Sequence, residues 1–275
     1  MNSITWENDH EFSIGSVNFQ CSTADYSKKT DKNRFVLLKD RGLLDAYSSI
    51  FSDAVPKNIL EFGVFQGGSP VFFSLWFGLD KFVGIDISAP IQEFEKFCGA
   101  NKVGKRIKTY YETSQTDRRR IDEIIHQEFG SKNLLDCIVD DASHNYSATR
   151  RAFEIAFPHL RPGGVYVIED WGWAHWPGSR YFMGKTALSI LLFELAMACA
   201  SRSDLISEIR VFPSIAFIRK SINAPTLPDF HLDSVYSKRG FEFVGAEHPR
   251  LLKTAKMLGE SFIARTRARL SKSRS

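Results

Sequence analysis

Through the middle of the chain, short apolar and β-branched runs alternate with stretches of helical periodicity. Runs at 58–64, 81–87, 106–112, 134–141 and 164–170 read as strands. The intervening stretches at 70–78, 91–98, 117–129 and 147–160 read as helices, and 184–200 as a long, mostly apolar one. In 117–129, Ile121, Ile124, Ile125 and Phe129 form one stripe at helical spacing. Ser69 followed by Pro70 predicts an N-cap with proline at the first helical position. Asp136-Cys137-Ile138-Val139-Asp140 and Val165-Tyr166-Val167-Ile168 are almost continuously apolar, as strands covered on both faces are. This rhythm predicts a parallel sheet with helices on both sides. Runs at 205–212 and 214–220 are separated only by Pro213, too little chain for a crossover, so they predict an antiparallel hairpin at the sheet edge. The fold class is therefore α/β: a doubly wound, mostly parallel seven-stranded sheet with an antiparallel C-terminal hairpin. Residues 58–221 form its core. Residues 1–57 are an N-terminal extension with a helix around 35–51, and 222–275 a C-terminal extension ending in a basic helical tail.

Composition narrows the class further. The 275 residues are 43% hydrophobic and 25% charged, which excludes wholesale disorder and collagen-like repeats. The longest apolar stretch, 187–200, is interrupted by Glu194 and falls short of the ~20 residues a membrane span requires. No apolar run follows Met1, so no signal peptide is expected. Cys21, Cys98, Cys137 and Cys199 lie far apart, which speaks against a zinc site or disulfide framework and for a cytoplasmic protein. The net charge of +4 is uneven: from Arg250 onward eight basic residues face Glu260 alone, a local +7 that leaves −3 elsewhere. No nucleic-acid partner is implied. The tail is either a solvated helix or a contact for an anionic surface.

Glu61-Phe62-Gly63-Val64-Phe65-Gln66-Gly67-Gly68-Ser69 lies where the first core strand meets its helix. Gly63 permits a tight turn, Gly67 and Gly68 let backbone approach a ligand, and the helix start at Ser69 offers free N–H groups. Asp86, at the end of the second strand, is placed to accept hydrogen bonds from both ribose hydroxyls. The glycine spacing is neither G-x-G-x-x-G nor that of a phosphate-binding P-loop, since no lysine follows Gly68. Glu61, two residues before the first glycine, suits a cationic nucleoside such as S-adenosylmethionine. Glu61, Gly63, Gln66, Gly67, Ser69 and Asp86 are thus candidate cofactor contacts. Ser114 and Gln115 are candidates for the adenine edge or else cap the next helix.

Val139-Asp140-Asp141-Ala142-Ser143-His144-Asn145-Tyr146 and Ile168-Glu169-Asp170-Trp171 end two strands expected to be neighbours. Asp141, Glu169 and Asp170 would converge there, and three carboxylates repel one another unless a cation joins them. Oxygen-only ligands select a hard ion such as Mg²⁺. Asp140 is a further candidate cofactor contact, or simply caps a helix or faces water. His144 is positioned to take a proton from a substrate hydroxyl beside the ion, or else to touch metal or cofactor. Trp171, Trp173, Trp176 and Tyr181 follow closely and suit either a substrate lid over a sugar face or a loop packed on the sheet edge.

A parallel sheet closed by an antiparallel hairpin resembles the class I methyltransferases. The stretches 139–146 and 160–171, with the Phe212–Ile218 hairpin, are similar to those of the macrocin and mycinamicin sugar O-methyltransferases. The resemblance covers roughly 58–220, including Glu61–Ser69. It implies S-adenosylmethionine, Mg²⁺ at Asp141, Glu169 and Asp170, and His144 as base, acting on a hydroxyl of a sugar or glycosylated metabolite. Ser114 departs from the acid often found there. Rival readings are an iron-dependent hydroxylase, which normally needs two histidines and a carboxylate, and a non-catalytic binding partner of the same fold. Self-association into a homo-oligomer is left open.

Overall fold

The computed structural model describes residues 1–21, 27–31, 34–130, 135–177, 184–227 and 229–236. Tyr181 and the basic tail from Arg250 lie outside the described residues. The chain opens with a layer the sequence pattern did not predict. Strands β1 (Thr5–Trp6), β2 (Glu11–Ile14), β3 (Val17–Cys21) and β4 (Arg34–Leu37) form a four-stranded sheet in that order. β3 and β4 are parallel, and the other pairs antiparallel. The expected helix around 35–51 is shorter: α1 spans Arg41–Phe51, because Phe35 belongs to β4 and Asp40 caps the helix by accepting from Leu43 N–H at 2.8 Å.

The large sheet follows the predicted plan. In chain order it comprises β5 (Asn58–Phe62), α2 (Gly68–Trp76), β6 (Lys81–Ile85), α3 (Gln92–Ala100), β7 (Ile107–Tyr110) and α4 (Arg118–Phe129). Then come β8 (Leu135–Asp140), α5 (Tyr146–Ala156), β9 (Leu160–Glu169), α6 (Leu188–Ser201), β10 (Ile206–Val211) and β11 (Ile215–Lys220). The strand order is β10-β11-β9-β8-β5-β6-β7, with β5 to β9 parallel and the β10–β11 hairpin antiparallel on the β9 edge.

Two cores sandwich this sheet. Side-chain alternation along β9 sends Tyr166 and Ile168 to the face packed by α4, α5 and α6. Val165 and Val167 point to the opposite face, which α1, α2 and the N-terminal sheet cover. Phe72 of α2 meets Phe12 and Phe19 edge-on, at ring centroid separations of 5.7 and 5.8 Å, and so ties the two sheets together. The alternation has a consequence for the site: Glu61 and Glu169, at the ends of β5 and β9, project toward the N-terminal layer.

One helix start differs from expectation. Gly67, with φ +81°, is the N-cap of α2, and Ser69 lies inside the first turn, its hydroxyl donating to Glu61 Oε2 at 2.6 Å. Pro70 is tolerated there because first-turn N–H groups have no partner within the helix. The four cysteines are free thiols, and among the described residues no helix is long and apolar enough to cross a membrane.

Candidate active site

A cleft of about 740 Å³ opens at the carboxyl ends of β5, β6, β8 and β9. That is where open α/β sheets bind ligands, because the strand order reverses there. One half of the cleft is lined by Gly63, Ser69, Asp86, Ser114 and Gln115. Asp86 is held by the backbone around it. Its Oδ2 accepts from Val64 N–H (2.7 Å) and Phe65 N–H (3.0 Å), and its Oδ1 from Ser88 N–H (2.7 Å). The carboxylate thereby holds the turn in which Phe65 adopts φ +47°, a conformation costly for a side chain of that size. Ser114 and Gln115 do not cap α4; Asp117 does, accepting from Arg120 N–H at 3.1 Å.

Three expected cofactor contacts have partners within the protein. Gln66 accepts from Thr30 N–H at 2.6 Å and donates to Lys28 O at 3.0 Å, so it anchors the N-terminal segment. At Gly67 and Gly68 a Cβ would run into the Phe94 ring and Val36 O, so both glycines admit close neighbours within the protein, and Gly68 also lines the cleft. Asp140 is buried beneath the cleft, accepting from Tyr166 hydroxyl at 3.0 Å and Gln115 Nε2 at 3.2 Å. Burial pushes its carboxyl up to about 7, against the opposing effect of the Tyr166 hydrogen bond.

Glu61 is fully buried, and its Oε1 has no hydrogen-bond partner in the protein. Burial raises its pKa well above the usual carboxylate range, although the ammonium of Lys39 opposes this. An unpaired buried carboxyl oxygen is costly, so a site that keeps one has a use for it.

At the other half, Asp141, His144 and Asp170 bring their ligand atoms within 4.8 Å of one another, the grouping among the described residues suited to an ion. His144 Nε2 lies 3.9 Å from both Asp141 Oδ1 and Asp170 Oδ2. His144 (φ +50°) and Asp170 (φ +54°) both occupy left-handed backbone, strain that concentrates at functional positions. Burial, reinforced by the charge of Asp141, raises the Asp170 carboxyl above its ordinary value.

Glu169 is placed differently from expectation. Its Oε2 lies 2.6 Å from Lys39 Nζ, and its Oε1 accepts the Tyr47 hydroxyl at 2.5 Å. Lys39 also donates to Asp141 Oδ2 at 2.9 Å. Neither Lys39 nor Tyr47 carries a sequence signal: Lys39 reads as an ordinary polar residue after the apolar Phe35-Val36-Leu37-Leu38 run.

The tryptophan cluster divides. Trp173 lines the cleft with its ring edge-on to His144 at 5.2 Å. Trp171 instead packs against the core and donates its indole N–H to Phe212 O at 2.8 Å, and Trp176 is 40% exposed.

The fold is the Rossmann-like fold of methyltransferases, and a methyltransferase-domain family model matches residues 60–171, less than half of the chain. More particularly, the chain is similar to mycinamicin VI 2''-O-methyltransferase of Micromonospora griseorubida, 34% identical over 127 residues covering 44% of this chain and 28% of that protein. It is also similar to demethylmacrocin O-methyltransferase of Streptomyces fradiae, 32% identical over 107 residues covering 33% of this chain and 27% of that protein. The solved structure of the MycE methyltransferase from the mycinamycin pathway, in complex with Mg, SAH and mycinamycin VI, superposes with a TM-score of 0.51 at 29% identity. That match covers 65% of this chain and 49% of MycE. The chain therefore spans about half or less of the length of these relatives.

Proposed function

We propose that this chain is a metal-dependent O-methyltransferase that moves a methyl group from S-adenosylmethionine to a hydroxyl of a sugar or glycosylated metabolite. The observation that carries the reading is one cleft that joins the polar wall at Asp86, Ser114 and Gln115 to an acid–imidazole cluster at Asp141, His144 and Asp170. The donor half fits its ligand: Asp86, Ser114 and Gln115 line it with polar groups for a nucleoside, and Ser69 of the same lining donates to the buried Glu61, whose Oε1 is left without a partner in the protein. The other half fits a hard divalent ion, because the buried Asp170 carboxyl beside the charge of Asp141 gains from a shared positive charge.

Asp86 and the Gly63–Ser69 turn hold the nucleoside, and Gln115 and Ser114 border its base. S-adenosylmethionine supplies an electrophilic methyl group, and an ion held by Asp141 and Asp170 supplies positive charge beside the acceptor oxygen. His144 takes the hydroxyl proton as that oxygen attacks the methyl carbon and the donor sulfur departs as a neutral thioether. Trp173 keeps the imidazole in place and offers an aromatic wall to the C–H face of a sugar. One histidine with two carboxylates, and no second histidine in the cluster among the described residues, disfavours the iron-hydroxylase reading. The four free thiols favour a cytoplasmic setting. Calorimetry provides the first test: the protein should bind S-adenosylmethionine, and tighter binding of NADH would overturn the donor assignment.

A further inference from the structure

Away from the cleft, basic residues gather at one edge of the large sheet. From Lys96 to Tyr111 the chain carries five lysines and arginines and no acid. Lys96 pairs with Glu93 at 2.7 Å. Lys102, Lys105, Arg106 and Lys108 are exposed, and none of them forms an ion pair among the described residues. Glu128, whose carboxyl Lys108 helps to hold below its ordinary value, is already engaged by Lys81 at 3.0 Å. Arg106 donates one N–H to Leu79 O at 3.1 Å. Lysine on an exposed edge strand discourages strand pairing, and β7 is the outer strand of its sheet. That accounts for Lys108 alone, because Lys102, Lys105 and Arg106 precede the strand, at and beside the 3₁₀ turn Val103–Arg106.

Residues 250–275 are the second basic stretch, with a local charge of +7. Against +4 for the whole chain, this +7 and the +4 of the sheet edge leave −7 on all other residues. Charge so unevenly divided steers a molecule toward a polyanion. The apolar residues decide which one. In 250–275, Leu251, Ala255, Leu258 and Phe262 recur at helical spacing, and the same register puts Lys253, Lys256 and Arg267 on the opposite side. Leucine and phenylalanine on one side with lysine and arginine on the other is the pattern of a segment that lies in a membrane interface. A nucleic-acid backbone would use the cations but offer the leucines nothing to bury against.

We propose that the exposed edge Lys102, Lys105, Arg106 and Lys108, together with residues 250–275, is a docking surface for an anionic lipid bilayer. The edge supplies charge to the headgroups, and 250–275 adds both charge and apolar burial. Stable peripheral attachment needs two such signals. The turn Val103–Arg106 stands at the start of β7, whereas the cleft opens at the carboxyl ends of the parallel strands. Docking through that turn leaves the cleft open to a glycoside in solution. The proposal goes beyond the methyl-transfer reading and does not depend on it.

The test is sedimentation of the full chain with vesicles of phosphatidylcholine alone, or of equimolar phosphatidylcholine and phosphatidylglycerol. Wild type should bind the anionic vesicles at least about tenfold more tightly, and raising salt from about 0.1 to about 0.5 M should remove most of that difference. Each basic residue close to an anionic surface strengthens attachment about fivefold. The triple variant Lys102→Gln, Lys105→Gln, Lys108→Gln should therefore bind at least about tenfold more weakly, with its melting temperature unchanged. Lys105→Glu alone should weaken binding at least about threefold, and it decides if the triple variant fails to fold. The double variant Leu258→Glu, Phe262→Glu should also lose at least about tenfold, because the apolar side no longer enters the bilayer. Equal binding to both kinds of vesicle, binding to neither, or wild-type binding by the lysine variants overturns the proposal. Undiminished binding by the Leu258→Glu, Phe262→Glu variant overturns the lipid assignment, and tighter binding to a DNA duplex than to vesicles would make nucleic acid the partner instead.

Discussion

Asp86→Ala separates a carboxylate that only contacts ligand from one that also builds the cleft. The substitution strands three backbone N–H groups, those of Val64, Phe65 and Ser88. Hydrogen bonds to a charged acceptor contribute roughly 1.5–3 kcal/mol each when considered singly. The sum overstates the loss, because Asp86 borders the cleft and water can reach part of the vacated space. A net destabilisation of about 2–4 kcal/mol is expected, which for a chain of this size corresponds to a melting temperature lower by about 5–10 °C. Donor affinity should fall too, since the strained Phe65 turn loses its anchor. Asp86→Asn keeps one acceptor oxygen but must turn its NH₂ group toward the remaining donors, so it should recover less than half of the lost stability. Differential scanning calorimetry with and without S-adenosylmethionine reads both effects. If Asp86→Ala melts within 1 °C of wild type while donor binding collapses, the carboxylate is a ligand contact only and the turn is self-supporting.

Two further substitutions examine the two halves of the cleft. Glu61→Gln keeps the shape but removes a carboxyl that a cationic donor would draw into its ionised form, so S-adenosylmethionine should bind about 10- to 100-fold more weakly, the range for one charged hydrogen bond. Because burial raises the Glu61 pKa in the native state, the native protein binds that proton more tightly than the unfolded chain. Its contribution to stability is therefore lost as pH rises above the ordinary carboxylate range, and Glu61→Gln should gain stability relative to wild type over that rise; denaturation midpoints that move in parallel would refute this. His144→Ala should lower turnover by about 10²–10⁴-fold at saturating donor and ion, with donor affinity unchanged, and turnover within threefold of wild type would remove His144 as the base.

The parallel core was legible because its strands carry their own pattern. Leu135–Asp140 and Leu160–Glu169 are apolar on both faces, and their acidic ends fall where ligands bind. The N-terminal sheet was not legible, because its strands are short, as with the two-residue β1, and its aromatic positions gain meaning only against Phe72 of α2. The same limit applies within the site. Asp141, His144 and Asp170 come together as their strand-end positions predict. The placement of Glu169 depends on Lys39 and Tyr47, more than 100 residues away in sequence. Asp86 likewise reads as a ribose contact from its position alone, whereas its bonds to the glycine turn emerge only from the folded backbone.

Methyl transfer itself tests the central claim most directly. Purified protein incubated with labelled S-adenosylmethionine and a panel of glycosides should place label on a sugar hydroxyl. Transfer should stop in excess chelator and return when Mg²⁺ is restored. Label transfer that persists undiminished in chelator would contradict the metal-dependent account, and hydroxylation of a glycoside in place of methylation would contradict the reaction itself.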